Sequence, residues 1–144
     1  MAFTGNFMCT SFKVEILKAV HNFTLSTGNT FNIAMYSNSA SFTAATTAYT
    51  SGNEVTGTGY TAKGYALTNV QPVSTSTTAF TDFGDATWSS STITARGAMI
   101  FNDTAAGDPS VVILDFGSDK SSSSGDFTIV FPTGDSTSAI IRIA

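Results

Sequence analysis

Residues 92–102 read TITARGAMIFN and residues 111–116 read VVILDF, and the two stretches decide the fold. In the first, Ile93, Ala95, Gly97, Met99 and Phe101 share one face while Arg96 and Ile100 take the other, the period of two of an extended strand. The second is a near-continuous apolar run. Between them Asn102, Asp103, Gly107, Asp108 and Pro109 supply turn chemistry, so the spacing predicts a hairpin-like pair.

Working outward, Phe127, Ile129 and Phe131 alternate with Thr128 and Val130, and Ile140 to Ile143 give a last strand after a turn at Pro132 to Ser138. Gly117 to Gly125, with Ser121 to Ser124 in a row, reads as a mobile polar loop. Upstream, Phe31, Ile33 and Met35 alternate with Asn32, Ala34 and Tyr36 as one more strand. Tyr65, Leu67 and Val70 read as a strand whose alternation slips once before Pro72. Phe80, Phe83 and Trp88 around Gly84 and Asp85 predict two short strands about a turn. The total is about seven to nine strands, at spacings typical of sandwiches and barrels. The expected class is all-β: one single-domain β-sandwich over residues 1–144, with one short N-terminal α-helix.

That helix is expected from about Thr10 to His21. Phe12, Ile16 and Val20 recur at spacing four with Leu17 beside them, and Thr10 or Ser11 is placed to cap the start. The stripe should lie on the sheet or on a neighbouring subunit, since three isolated turns are marginal in water. Residues 1–9, with Phe3 and Phe7 in a short Gly/Asn-containing segment, are expected to form an extended N-terminal arm. Ser37 to Gly64 holds few large apolar residues besides Phe42, Tyr49, Val55 and Tyr60, and reads as a surface excursion or interaction arm.

Composition narrows the function. The chain has 144 residues, of which 42% are hydrophobic, twelve of them Phe, so one core can form and intrinsic disorder is not expected. Only 11% are charged, against about 25% in an ordinary soluble domain. Nineteen Ser and twenty-four Thr make up the polar surface instead, which favours strands and weakens the mutual repulsion that keeps proteins apart. Six scattered Lys and Arg and a net charge of -4 argue against a nucleic-acid binder. No run of 18–20 apolar residues is present to span a bilayer, and a secretory leader is not expected at the N-terminus. The single Cys9 closes no intrachain disulfide.

Catalytic equipment is sparse. His21 is the one histidine, and its place at the expected helix end reads as a packing or dipole-stabilised residue. No nucleophile elbow, phosphate-binding loop or zinc-protease motif occurs. The carboxylate pairs Asp82 with Asp85 and Asp115 with Asp119 sit beside glycine and read as turn caps rather than as a glycosidase pair. Asp103 with Asp108, or Asp115, Asp119 and Asp126, would hold calcium only if their loops converged, and no EF-hand spacing supports that. No catalytic residue, metal or cofactor is therefore assigned, and no enzyme is expected. Most aromatics read as core. Tyr36, Tyr49, Tyr60 and Tyr65, each with a hydroxyl that wants a polar partner, are candidate interface residues, along with Phe3 and Phe7; Trp88 could stack on sugars.

Six ordered blocks carry a resemblance that spans nearly the whole chain: FTGNFMCTSFKVEILKAVHNF (residues 3–23), TFNIAMYSNSA (30–40), NEVTGTGYTAKGYALTNV (53–70), FTDFGDATWSSSTITARGAMIFN (80–102), VVILDFGSDKSSSSGDFTIVFP (111–132) and AIIRIA (139–144). Together they resemble small virion structural proteins of tailed bacteriophages, including phages of cyanobacteria and other marine bacteria. The resemblance implies a jelly-roll-like body located on the virion and assembled in the host cytoplasm. It implies a capsid decoration (cement) protein whose partners are itself, as homodimer or homotrimer, and the major capsid protein. A tail, baseplate or fibre component is the alternative, and a polysaccharide-cleaving sandwich the remote third.

Overall fold

The computed structural model describes residues 3–144. In chain order the elements are β1 (Phe7–Met8), α1 (Thr10–Leu17), β2 (Phe31–Tyr36), β3 (Tyr65–Ala66), β4 (Val73–Thr75), β5 (Thr78–Thr81), β6 (Ala86–Asn102), β7 (Ser110–Ile129) and β8 (Ile141–Ile143). They form two antiparallel sheets, one of five strands in the order β1-β7-β6-β2-β3 and one of three in the order β4-β5-β8, an open arrangement consistent with a β-sandwich.

The expected hairpin is the backbone of the molecule. β6 and β7 pair from Ala86↔Ile129 to Phe101↔Ser110, and β2 adds along the other edge of β6, Phe31↔Asn102 to Tyr36↔Gly97. Where the three strands run together, residues 97–102 and 110–114 are buried without alternation. A sheet covered on both faces needs apolar side chains in both directions, which is why VVILDF reads as a run. One cover comes from Phe31 stacking on Phe23 and meeting Phe83, which in turn meets Phe131. The other comes from the N-terminal segment and the 37–64 excursion: Phe42 packs edge-on to Phe3 and Tyr36, and Tyr49 stacks on Phe101.

Three expectations are corrected. The polar stretch Gly117 to Gly125 is not a loop; most of it is strand in β7. Lys120, Ser121, Ser122 and Gly125 pair with Ala95, Thr94, Ile93 and Ser91. Hydroxyls stitch this half of the ribbon: Thr94 to Ser121 at 2.7 Å, Ser91 to Ser122 at 2.7 Å, and Thr87 to Thr128 at 2.9 Å. Ladder bonds and cross-strand hydroxyl pairs stabilise strands without any apolar alternation. The irregularity that remains is local: residues 116–119 fall between the pairs Gly97↔Asp115 and Ala95↔Lys120, with Gly117 at φ 76.

The helix is shorter than its apolar stripe. It is capped by Cys9, with no side-chain capping bond from Thr10 or Ser11, and it stops at Leu17. Ala19 takes φ 57, and its amide donates to the Ile16 carbonyl while that of Val20 reaches back to Glu15, a Schellman closure. Glycine is the usual residue at such a position, so Ala19 holds it at a small steric cost. Phe12 is buried, Leu17 is 88% exposed, and Val20 and His21 lie beyond the helix. The strand expected over Tyr65 to Val70 shrinks to β3 plus a bridge from Asn69 to Phe83.

Candidate functional site

Residues 3–9 dock on their own sheet; residues 1 and 2 of the expected arm lie outside the described residues. Phe3, 1% exposed, lies over Gly97, where any Cβ would sit 2.4 Å from its ring. The Gly5 amide donates to Asp115 Oδ2 at 3.0 Å and the Asp115 amide to Asn6 Oδ1 at 2.7 Å. The bonds from Gly117 and Gly5, with the Arg96 guanidinium, hold the Asp115 carboxyl below its usual range. β1 then pairs with Val112 and Ile113.

The tyrosines expected at an interface are mostly turned inward, around Glu54. Tyr49 and Tyr60 donate to its two carboxylate oxygens at 2.5 and 2.7 Å, and the Lys63 amide adds a third bond at 2.8 Å. The Tyr60 oxygen also accepts from the Met35 amide, and Tyr36 donates to the Thr50 carbonyl at 2.7 Å. Burial pushes the Tyr49 hydroxyl up to about 12, with Glu54 adding to the effect, and raises Tyr36 and Tyr60 as well. These phenols stay protonated donors. Phe3 and Tyr36 are fully packed inside the chain and offer it no interface surface, which corrects that assignment. Tyr49 and Tyr60 are half-buried; Tyr65, 37% exposed and edge-on to Trp88, keeps an open face, and Phe7 is half-buried. A carboxylate acceptor five and six residues from Tyr49 and Tyr60 is visible in sequence, but its role as their common hub is not.

Asp103 and Asp108 do converge, on the Lys63 ammonium, at 2.7 and 2.8 Å. Those two carboxylates raise the Lys63 ammonium's pKa. Asp115 pairs with Arg96 at 3.2 Å. Among the described residues no group of three or more His, Cys, Asp or Glu side chains is placed to hold a metal ion. Asp82 is the outlier. It is 2% exposed, its Oδ1 accepts from the Phe83 amide at 2.8 Å, and its Oδ2 has no hydrogen-bond partner. Burial raises its pKa, with Asp85 and Asp135 adding repulsion. The folded chain thus keeps this proton to higher pH than the unfolded chain, which releases it near about 3.9. Stability is fully present below that value and is lost as pH rises through the folded pKa. Asp82→Asn should therefore gain on wild type as pH climbs from about 4 to 7, by roughly 2–4 °C in melting temperature; a difference that is flat with pH contradicts this.

His21 lies in a closed network. The Asn102 Oδ1 accepts from the Thr104 and Ala105 amides, both at 3.1 Å, which turns its Nδ2 toward His21 Nδ1 at 3.1 Å and Asn29 Oδ1 at 3.0 Å. Nδ1 is thereby the acceptor, and Nε2 carries its hydrogen toward Glu15 at 2.8 Å. Both ring nitrogens are occupied, so His21 serves no nucleophile. Cys9, fully buried, has its thiol pushed up by that burial, partly offset by a bond with Ser110.

What remains open is a groove of about 840 Å3 along β7. Its apolar lining includes Phe7, Leu114, Phe116, Ile129, Val130 and Phe131, and Ser138 to Ile140 form one wall. Its charged lining residues are Lys120, Asp126 and Asp115, the last ion-paired with Arg96. Its lining along β7 comes mainly from the 111–116 and 126–132 stretches, which the sequence marks as strands without showing that their edge is left open.

Comparison with protein-family models, curated proteins and solved structures gives no match. No helix among the described residues is long and apolar enough to cross a membrane. The surface here is an apolar trough with two carboxylates and one ammonium in its lining, beside a hydroxyl-covered ribbon.

Proposed function

We propose that this chain is a structural protein of a tailed-phage virion, a capsid decoration (cement) protein that binds the outside of the head and bridges major capsid subunits. It acts by binding, with no covalent chemistry. The groove along β7 is the observation that carries the reading: it leaves Phe116, Val130 and their neighbours open on a chain with 11% charged residues, a surface suited to burial against protein. The six-block resemblance supports the virion assignment, and the two sheets suit the jelly-roll-like body it implies.

The test is to add purified chain to heads that lack it and to image the particles. Regular density at capsomer junctions, and heads more resistant to heat, are expected. Copies found only on the tail would replace this reading with the second one, a tail, baseplate or fibre component. One observation favours that alternative: Tyr65 presents an open face next to Trp88 and Tyr60, an aromatic cluster of the kind that stacks on sugar rings.

A further inference from the structure

Six consecutive residues, Asp126 to Phe131, line the groove. Successive side chains of a strand point to opposite faces, so a surface touched by every residue in turn looks onto the strand's edge, where backbone N–H and C=O groups emerge. Residues 6–9 cover that edge from Val111 to Asp115, with β1 paired to Val112 and Ile113, and among the described residues no other strand pairs with it. A long uncovered edge is a template for another strand.

The order of side chains along the edge says which strand. Lys120 and Asp126 stand at equal distances on either side of Ser123. Both are exposed, neither is in an ion pair among the described residues, and Lys120 bonds only to the Ser118 hydroxyl at 3.0 Å. If two copies of β7 run antiparallel about a two-fold axis at Ser123, Lys120 faces the partner's Asp126 and Asp126 faces the partner's Lys120. Phe116 and Val130, the latter 72% exposed, line the same groove and add apolar surface to the contact. A parallel in-register pairing would instead set like charges together, which is unfavourable. A self-complementary patch of this kind is what a two-fold interface requires.

We propose that the occupant of the groove is a second copy of this chain, joined edge to edge through β7 so that the five-stranded sheets of two copies become continuous. The inference deepens the self-association in the proposed function and depends on it only for the dimer's place on a particle.

Sedimentation velocity over a concentration series tests it. Wild type should form a dimer. Lys120→Asp should weaken it about tenfold or more, by setting two carboxylates against each other across each pair. Asp126 also accepts from the Ser90 amide at 3.1 Å. Asp126→Asn, which keeps that bond, should therefore weaken the dimer about threefold, and the double variant Lys120→Asp with Asp126→Lys should recover it, each with the wild-type circular dichroism spectrum. A wild-type monomer at every concentration overturns the proposal, as do dimers indifferent to Lys120→Asp. A dimer that does not bind heads would sink the cement reading alone, and monomers that decorate heads would sink the dimer alone.

Discussion

Asn102→Ala should lower unfolding free energy by about 3 kcal/mol or more, although it removes only an amide. Asn102 is fully buried, where β6 ends; its oxygen accepts from the Thr104 and Ala105 amides and its two N–H groups go to His21 Nδ1 and Asn29 Oδ1, with the Val20 carbonyl 3.5 Å away. Alanine leaves the Thr104 and Ala105 amides and His21 Nδ1 without that partner, while Asn29 Oδ1 keeps the Asn22 amide, and a buried unsatisfied group costs about 1–3 kcal/mol. Asn102→Asp separates the two halves of the role. It keeps an acceptor for the Thr104 and Ala105 amides but sets a carboxylate against the Val20 carbonyl and Asn29 Oδ1, so it too should destabilise. Urea titrations with an unchanged slope check both, and a loss below about 1 kcal/mol for the alanine variant would contradict the network.

Removing residues 1–9 should cost at least about 4 kcal/mol, a large part of the roughly 5–15 kcal/mol that holds a domain of this size. Phe3→Ala alone should cost about 3–4 kcal/mol. The deleted segment carries the ring that covers Gly97, the Gly5 and Asn6 bonds to Asp115, and strand β1. Sequence reasoning predicts a folded truncation that has lost only its reach to a neighbour; with Phe3 buried in its own chain, loss of particle binding would instead follow from loss of the fold. Thermal melts separate the two, and a truncated chain with the wild-type midpoint would show that the docking is energetically idle.

The parts of the fold legible in the sequence are those in which burial follows a simple period. Phe127, Ile129 and Phe131 are buried and Thr128 and Val130 exposed, as their alternation says. The turn at residues 103–109 joins the two strands it was expected to join. The segment Gly117 to Gly125 misleads because serine hydroxyls bonding across a ladder leave the same trace in sequence as serines in water. α1 misleads at its C-terminus, where an alanine takes the left-handed conformation in which a glycine would have announced the stop. The site was less legible than the fold. Tyrosines look amphipathic from sequence wherever they sit, and only the position of Glu54 decides that Tyr49 and Tyr60 turn toward it. The groove depends on which edge of which strand is left uncovered, a property of topology that no local pattern encodes.

The pairing of β1 with the start of β7 also orders events during synthesis. Phe7 meets Ile113, and Gly5 reaches Asp115 across a separation of 110 residues, whereas β6 and β7 meet through a short turn. Closing long loops is slow compared with zipping a hairpin. Residues 3–9 are synthesised before the strands they dock on, so the Phe3 ring must wait for Gly97 to be translated before it can be covered. Throughout that interval it is a chaperone's concern rather than the fold's.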